Sequence, residues 1–365
     1  MTEPVIIPVC GLAELAIQPD YPWLQELVSG LGDVGRLYGY PNRGSVLADA
    51  RERVLVQSGS IVRTPEMREL AKGVLVRPSA MLDLRYGVWV LRSSENELTL
   101  QTDRPCLEWV MWALQLALLR GGATFVHAAG VEKDGTALLF PSWGGVGKTA
   151  IVRHLVGEFG WRLLGDDLVV LSRDGMCFGF PKPLVIYPHH RAVFPDVFAR
   201  GSGPVACTWM NAALTRAAQV MKPLLRPAPR LLQLARRHNP QSVRIAPSEV
   251  FGRDRLAMAG HLKEVVWLDR VEGLSAPQFT PCELDLTSAL MGSTLFENDP
   301  WCVRLTNVAR GLGILSCGQL YANWVTVLQG ALALARRWQL YLPAGMPLPQ
   351  TVTAVHTLLL QNGLC

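Results

Sequence analysis

The sequence predicts an α/β protein organised around a glycine-rich loop that joins a strand to a helix. The strand is indicated by the short apolar segment Thr136-Ala-Leu-Leu-Phe140, and the loop by Pro-Ser-Trp-Gly-Gly-Val-Gly directly after it. From Thr149 to Val156, apolar residues recur with the spacing of one helix face. Hydrophobic residues make up 49% of the 365 residues and charged residues only 18%, which predicts a substantial buried core.

Residues 1–120 are predicted to form a β-rich N-terminal domain with a connecting helix, and residues 121–365 a second domain. In the first part, short apolar runs separated by turn residues predict strands, and two segments predict helices. The predicted strands are 5–9, 54–56, 74–76, 88–91 and 98–100, and the predicted helices are 21–31 and 107–120. Gly121-Gly122 ends the second helix. This part carries no chemical motif, so it is interpreted as a packing domain, with oligomerisation or substrate docking as alternatives.

The second domain opens with a predicted hairpin. Residues 123–131 are apolar and predict one strand that contains His127. Lys133-Asp-Gly135 predicts a tight turn into the strand at 136–140, which would bring His127 close to the glycine-rich loop. On local grounds alone, a single histidine on an apolar strand is more often a buried structural residue.

The loop itself is predicted to bind phosphate. Its glycines let backbone N–H groups turn around an anion, and the helix that follows adds its positive dipole end. Lys148 would reach the outer phosphates and the Thr149 hydroxyl would bind Mg²⁺. Ser142 stands where the pattern G-x-x-x-x-G-K-[ST] has its first glycine. The predicted nucleotide-binding residues are Ser142, Gly144, Gly145, Val146, Gly147, Lys148 and Thr149. The alternative is a glycine-rich turn with a surface lysine.

Two adjacent carboxylates, Asp166 and Asp167, follow the apolar strand predicted at 161–164. Such a pair suits Mg²⁺ coordination, activation of a hydroxyl, or both. In a parallel sheet, ligands bind at the carboxyl ends of the strands, where this pair and the loop would both lie. The alternative is a pair of aspartates that caps a turn.

Three of these pieces resemble the HPr kinase/phosphorylase family, whose C-terminal kinase domain is similar to phosphoenolpyruvate carboxykinase. His127, the loop at 142–149 and Asp166-Asp167 occur in the order and approximate spacing of that family's His-Gly strand, G-D-S-G-x-G-K-S loop and Ala-Asp-Asp strand end. The resemblance covers residues 123–171 and is thin elsewhere. Within this family, the sequence resembles the HPr-kinase-like proteins of peptide and polysaccharide biosynthesis clusters more than it resembles the carbon-catabolite enzyme. The resemblance implies a P-loop-containing, HPr kinase C-terminal-like domain at 121–365.

The resemblance also implies roles for individual residues. Lys148 would contact the β- and γ-phosphates of ATP, and Thr149 would hold Mg²⁺. Asp167 aligns with the catalytic base, which accepts the proton of the substrate hydroxyl. Asp166 would support the metal or orient the base, and His127 would lie near the transferred phosphate. The predicted catalytic residues are therefore Asp167, Asp166, His127 and Lys148, and the predicted metal ligands are Thr149 and Asp166.

The sequence departs from the family in one further place. The family has a downstream glutamate that binds metal, whereas the corresponding stretch at 180–188 contains no acid. This departure argues against phosphorylase activity and against HPr as the substrate. Lys182, which lies in that stretch between two prolines, is either a nucleotide or substrate contact or a solvated lysine.

A basic insertion is predicted at about 200–255. Residues 200–248 contain eight arginine or lysine residues and no acid, and prolines divide them into short pieces. The stretch could hold an acidic substrate, phosphate oxygens or an anionic membrane surface, or it could be a solvated insertion. An arginine from it could close over the γ-phosphate. Beyond it, the sequence predicts strands at 265–268 and 338–342 and helices at 284–290, 325–337 and 348–361.

Other features indicate where the protein acts and on what. The longest apolar run, 109–119, is too short to span a bilayer, and no signal sequence opens the chain. Eight scattered cysteines without a C-x-x-C pair indicate reduced thiols, so a cytoplasmic location is expected. Nucleic acid is disfavoured as a partner, because single-strand binders stack bases on aromatic side chains, and Trp209 is the only aromatic residue among the basic residues of this stretch. The sequence does not decide whether the protein forms a homo-oligomer.

The leading hypothesis is a Mg²⁺-ATP-dependent kinase that phosphorylates a hydroxyl, expected to be a serine of a peptide or small protein such as a biosynthetic precursor peptide. The alternative is a nucleotide-binding accessory protein of a biosynthetic pathway that transfers no phosphate. A plain ATPase or GTPase is disfavoured, because no obvious water-positioning residue follows the Asp pair.

Overall fold

The computed structural model describes residues 3–38, 52–59, 65–71, 73–77, 80–84, 87–94, 96–187, 190–200, 243–297 and 317–364. Within these residues the fold is mixed α/β, with an eight-stranded sheet, a nine-stranded sheet and a two-stranded ribbon. Most of the predicted basic insertion, residues 201–242, lies outside the described residues.

The first sheet is built from the N-terminal part of the chain. Its strands are β1 Val5–Val9, β2 Ala13–Ile17, β3 Glu52–Gln57, β4 Arg68–Ala71, β5 Val74–Arg77, β6 Ala80–Asp83, β7 Val88–Ser94 and β8 Glu97–Gln101. They lie in the order β1-β2-β3-β8-β7-β6-β5-β4, with β2, β3 and β8 parallel. Two short helices, α1 Leu24–Leu31 and α2 Val34–Leu37, follow β2. All five predicted strands are confirmed, whereas β2, β4 and β6 were not predicted.

Helix α3, Leu107–Arg120, connects the first sheet to the second and has the predicted bounds. Nine of its fourteen side chains are buried, so it is apolar on nearly every side, as expected of a helix inside a core. No helix in the described part of the chain combines the length and apolar character that crossing a bilayer requires.

The second sheet contains the glycine-rich loop and the Asp pair. Its strands are β9 Ala123–Val126, β10 Ala128–Lys133, β11 Thr136–Pro141, β12 Arg162–Gly165, β13 Val169–Ser172, β14 Met176–Phe178, β17 Ala259–Val271, β18 Gln278–Pro281 and β19 Arg336–Pro343. Strands β15 Leu184–Ile186 and β16 Val243–Ile245 form the ribbon. The helices of this part are α4 Lys148–Glu158, α5 Pro195–Arg200, α6 Pro247–Phe251, α7 Leu286–Glu297, α8 Cys317–Ala333 and α9 Leu348–Gln361.

Helices cover both faces of this sheet. Leu139 of β11 and Trp267 of β17 belong to a hydrophobic cluster that includes residues of α3, α7 and α8. Phe140 and Leu268, which follow them by one residue, belong to a second cluster with α4 and α9. This alternation is the period of two expected of a strand that is buried on both faces. The first cluster also contains Val54 of β3, so residues from both proposed domains share one core, and the boundary near residue 120 stays a prediction.

The strand directions bring five segment ends to one edge of the second sheet. Strand β17 runs parallel to both β11 and β19. Strand β10 runs antiparallel to β11, which confirms the predicted hairpin, and it also runs antiparallel to β12. The carboxyl ends of β11, β12, β17 and β19 and the start of β10 therefore meet. Ligands of α/β proteins bind at such an edge.

Two predicted elements differ from the structure. The single strand predicted at 123–131 is wrong, because the chain breaks at His127: β9 pairs with β13, whereas β10 pairs with β11 and β12. The helix predicted at 325–337 is instead Cys317–Ala333. Arg336 and Arg337 belong to β19, since they pair in register with β17, and Arg336 Nε donates a hydrogen bond to Glu264 at 2.6 Å. Long-range pairing therefore overrides the local helical pattern.

Candidate functional site

The glycine-rich loop, defined here as residues 142–147, leaves β11 and enters α4. Ser142 still pairs in parallel with Leu268 of β17, so the strand geometry continues into the first loop residue. Gly145 and Gly147 have φ of 81° and 112°, a region that L side chains rarely adopt. Ser142 has no such φ in the structure. The backbone therefore needs glycine at 145 and 147 but accepts serine at the position where the usual pattern has its first glycine.

The amine of Lys148 lies inside the loop. Its Nζ donates hydrogen bonds to Ser142 Oγ at 2.9 Å and to Ser142 O at 3.1 Å, and it lies 3.4 Å from Trp143 O. His127 Nε2 is 2.9 Å from the same nitrogen. An ammonium group has only donors, so Nε2 must accept, and the proton of a neutral imidazole then lies on Nδ1. The predicted proximity of His127 to the loop is confirmed.

His127 is held from its backbone as well as from its ring. It lies between β9 and β10, is 4% exposed, and its backbone N–H donates to Thr294 Oγ1 at 3.0 Å. The Thr294 hydroxyl in turn donates to Leu290 O within α7 at 2.7 Å. Helix α7 thus supports the point where the chain leaves one part of the sheet and joins the other. No local pattern in the sequence indicated a role for Thr294.

Asp166 faces the start of α4. Thr149 Oγ1 donates a hydrogen bond to Asp166 Oδ2 at 3.0 Å. The other carboxylate oxygen, Oδ1, is buried and has no hydrogen-bond partner among the described residues. Burial and the neighbouring charge of Asp167 raise the pKa of Asp166 to about 6. A carboxylate under these conditions is stabilised by any cation that binds it.

Asp167 has different neighbours from Asp166. His127 Nδ1 lies 3.5 Å from Asp167 Oδ1, and Lys182 Nζ forms an ion pair with Asp167 Oδ2. Burial acts to raise the pKa of Asp167, but the charge of Lys182 and its hydrogen bond to the carboxylate outweigh it, so the pKa lies below its usual range. Asp167 is therefore ionised at neutral pH. Its side chain is 41% exposed, so a ligand can reach it from solvent.

Arg270, at the end of β17, was missed by the sequence reasoning. Its guanidinium donates to Val146 O in the loop at 3.2 Å and to Met346 O, beyond β19, at 2.9 Å. It also donates to Pro343 O at 3.2 Å and to Thr351 Oγ1 of α9 at 3.1 Å. Burial lowers the pKa of Arg270, although an arginine stays charged at neutral pH. Arg270 therefore fastens the loop to the segment that follows β19.

These groups line one cavity of about 520 Å³. The loop, the Asp pair, His127 and Arg270 contribute to its lining, together with two stretches of chain. One stretch follows β19 and includes Ala344, Met346 and Leu348, and the other includes Lys182, Pro183, Val185, Tyr187 and His190. The cavity lining includes every predicted site residue except Ser142, which instead accepts hydrogen bonds from the Lys148 amine.

The oxygen donors at the start of α4 fit a divalent cation. The Thr149 hydroxyl and Asp166 are adjacent, and Asp166 Oδ1 is a buried acceptor without a partner among the described residues. The described residues contain no group of three or more His, Cys, Asp or Glu side chains that could hold a metal alone. Mg²⁺ often binds through one or two carboxylates and completes its coordination with phosphate oxygens and water. The donor set suits that kind of site.

No protein-family model matches the chain, and no curated protein matches it either. Among solved structures, the Hpr(Ser) kinase/phosphatase from Coxiella burnetii aligns with 66% of this chain and 99% of its own, at 10% identity and a TM-score of 0.29. An alignment this loose supports at most a distant structural relationship.

Proposed function

We propose that the protein is an ATP-dependent kinase that transfers the γ-phosphoryl group to a hydroxyl, with a serine of a peptide or small protein as the acceptor. One observation carries the proposal. A lysine inside a glycine-rich loop, a hydroxyl at the start of the following helix and a pair of carboxylates converge in one cavity with a histidine. Groups of this kind suit phosphoryl transfer, because catalysis there is mostly positioning and charge stabilisation.

In this proposal the loop binds the phosphates. The N–H groups of Gly144, Gly145 and Gly147 and the start of α4 face the anion, and Lys148 contacts the β- and γ-phosphates. Thr149 and Asp166 hold Mg²⁺, which neutralises charge on the phosphates when it is bound. Arg270 keeps the loop in place through its bond to the Val146 carbonyl.

Asp167 is the group that receives the acceptor. Its low pKa keeps it ionised, so it accepts a hydrogen bond from the incoming hydroxyl and orients the oxygen toward the γ-phosphorus. The oxygen–phosphorus bond forms while the bond from the γ-phosphorus to the bridging oxygen breaks. ADP leaves with the electron pair, and the hydroxyl proton passes to Asp167. A weak base suffices, because little charge develops on the attacking oxygen in a loose transition state.

His127 orients Asp167 in the same proposal. Its Nε2 accepts from Lys148, and its Nδ1 lies 3.5 Å from Asp167 Oδ1. The imidazole thereby connects the phosphate-binding lysine to the carboxylate that receives the acceptor. The exposure of Asp167 supports an acceptor that approaches from solvent, as a serine on a peptide would.

The test is a transfer assay. Purified protein is incubated with γ-labelled ATP, Mg²⁺ and a library of serine-containing peptides, and phosphopeptides are detected by mass. We expect transfer by the wild type and a loss of at least about a thousandfold in Lys148→Ala, because the charge at the β- and γ-phosphates is removed. Lys263→Ala, at an exposed lysine outside the cavity, is the matched control and should transfer normally. Absence of any transfer by a wild type that binds ATP would contradict the proposal.

The second candidate is a nucleotide-binding accessory protein that transfers no phosphate. The ion pair between Lys182 and Asp167 favours it, because this pair occupies one oxygen of the proposed base and weakens the base. On this reading ATP binds with Mg²⁺ and recruits a partner. The two candidates separate in the assay above, since both predict ATP binding and only the kinase yields phosphopeptide.

A further inference from the structure

A second lysine, Lys182, lines the same cavity as Lys148 but belongs to neither the loop nor α4. Its Nζ forms an ion pair with Asp167 Oδ2, and its side chain is 26% exposed. The amine is therefore fixed beside the proposed transfer site while it stays accessible to a ligand. A solvated lysine, the alternative left open by the sequence, would show no such partner.

The backbone around Lys182 is held at several points. Pro181 and Pro183 restrict φ on both sides, and Phe180 N–H donates to Leu164 O of β12 at 2.8 Å. Pro181 O accepts from the Asp33 backbone at 3.0 Å. A Cβ at Gly32 would come within 2.7 Å of Pro183, so the N-terminal part of the chain packs closely against this segment. The position of Lys182 is thus set by contacts outside the cavity, before any ligand binds.

The four carboxylate oxygens of the Asp pair have unequal surroundings. Thr149 bonds Asp166 Oδ2, Lys182 pairs with Asp167 Oδ2, and Asp167 Oδ1 faces His127. Asp166 Oδ1 is the one that is buried without a hydrogen-bond partner among the described residues. The pair therefore offers one place for a divalent cation, on Asp166, and holds an ammonium group where a second cation beside Asp167 would sit.

We propose that Lys182 binds the terminal phosphoryl group of ATP and takes the place of a second divalent cation beside Asp167. This inference rests on the proposed nucleotide binding. An ionised Asp167 a few ångströms from the γ-phosphate would repel it, and an ammonium group between them replaces this repulsion with attraction on both sides. ADP lacks the terminal group, so Lys182 contributes to the binding of ATP and not of ADP.

The experiment compares affinities for a non-hydrolysable ATP analogue and for ADP, each with Mg²⁺, by calorimetry. Lys182→Met should weaken the analogue about tenfold and ADP less than twofold, because the lost charge-assisted bond involves the terminal phosphoryl group alone. Lys182→Arg keeps the charge and should stay within about threefold of wild type for both ligands. Lys263→Met, at an exposed lysine of β17 outside the cavity, should change neither affinity. Thermal melts of each variant establish that it is folded.

A second measurement counts the metal. Free Mn²⁺ is titrated by electron paramagnetic resonance in the presence of protein saturated with the analogue, and one bound ion per chain is expected. Two bound ions in the wild type would overturn the proposal, as would an unchanged preference for the analogue over ADP in folded Lys182→Met. Either result would be compatible with the proposed binding of ATP in this cavity. A wild type that binds neither nucleotide would instead overturn the proposed function and this inference together.

Discussion

The cavity has two sides that carry the same chemical group in different surroundings. On the Asp166 side, the carboxylate contacts the hydroxyl of Thr149 and keeps one buried oxygen without a hydrogen-bond partner among the described residues. On the Asp167 side, the carboxylate contacts Lys182 and faces His127. The pKa of Asp166 is raised to about 6 and that of Asp167 is lowered. Two adjacent aspartates are thus separated in role by their neighbours: one lacks a cation and the other already has one.

This difference suggests how a site assigns roles to identical residues. Strand β12 ends at Gly165, and the two aspartates that follow it face different directions, Asp166 toward α4 and Asp167 toward His127. The electrostatic work is divided accordingly. The Asp166 side is suited to a metal and its phosphates, and the Asp167 side to a neutral hydroxyl that must be oriented. Pairs of titratable groups whose environments separate their pKa values often mark such a division.

Among changes to the Asp pair, the largest expected effect comes from removing the Asp167 carboxylate. Asp167→Asn removes the proton acceptor but leaves the loop, Thr149 and Asp166 intact. We expect kcat for peptide phosphorylation to fall about 10²–10³-fold, in the range of lost general base catalysis, while ATP affinity stays the same or increases. Steady-state kinetics with the best peptide and calorimetry with an ATP analogue measure the two quantities. Full activity in Asp167→Asn would exclude Asp167 as the base.

Removing the charge of Asp166 should mainly change how strongly ATP affinity depends on Mg²⁺. In Asp166→Asn the proposed metal ligand loses its charge, so the increase in ATP affinity that Mg²⁺ provides should shrink about tenfold. Affinity for ATP in the presence of a chelator should not decrease, because a negative charge near the phosphates has been removed. Calorimetry with and without Mg²⁺ tests this. If Asp167→Asn rather than Asp166→Asn lost the Mg²⁺ dependence, the two sides would have the opposite roles.

A smaller effect is expected on stability without ligand. The pKa of Asp166, about 6, lies above that of an unfolded aspartate near 4, so the folded chain holds this proton more tightly. The resulting stability is fully present below about pH 4 and is lost as the pH rises through 6. Asp166→Asn should therefore be more stable than wild type by about 1–2 kcal/mol at pH 8, after allowance for solvent screening, and by less at pH 5.

Urea unfolding of nucleotide-free and metal-free protein at the two pH values measures this difference. The control is Asp254→Asn, whose carboxylate is 84% exposed and which should show little change at either pH. An Asp166→Asn variant that is less stable than wild type at pH 8 would show that the Asp166 carboxylate is satisfied without a metal. The Asp166 side would then no longer differ from the Asp167 side in lacking a cation.

Local patterns in the sequence predicted much of the framework. Helix α3 has the predicted bounds because Gly121 and Gly122 end it, and α9 has them because Pro347 precedes it. The hairpin of β10 and β11 followed from its Lys133-Asp-Gly135 turn. In each case the deciding residues lie within a few positions of the element. The predicted fold class is supported to the level of a mixed α/β chain with two large sheets.

What could not be predicted depends on residues far apart in the sequence. The break at His127 arises because its two flanking strands pair with different partners, and nothing in the segment 123–131 reveals those partners. Arg270 lies at the end of β17, and its role depends on hydrogen bonds to Val146 in the glycine-rich loop and to Met346 beyond β19. Lys182 was ambiguous for the same reason, since its partner Asp167 comes from another strand end. These contacts arise from the order in which distant strands pair, and local patterns in one sequence do not reveal that order.

The bonds of Arg270 also have a consequence for the order in which the site can form during synthesis. About 200 residues separate Val146 from Thr351, and Arg270 holds them together. At a translation rate of about 5–20 residues per second, the loop waits roughly 10–40 seconds for its support. A nascent chain in which the glycine-rich loop has been synthesised, but not yet β17 to α9, therefore lacks the hydrogen bonds that Arg270 makes with the loop and with Thr351. Nucleotide binding should become firm only when the last strand and helix have been added.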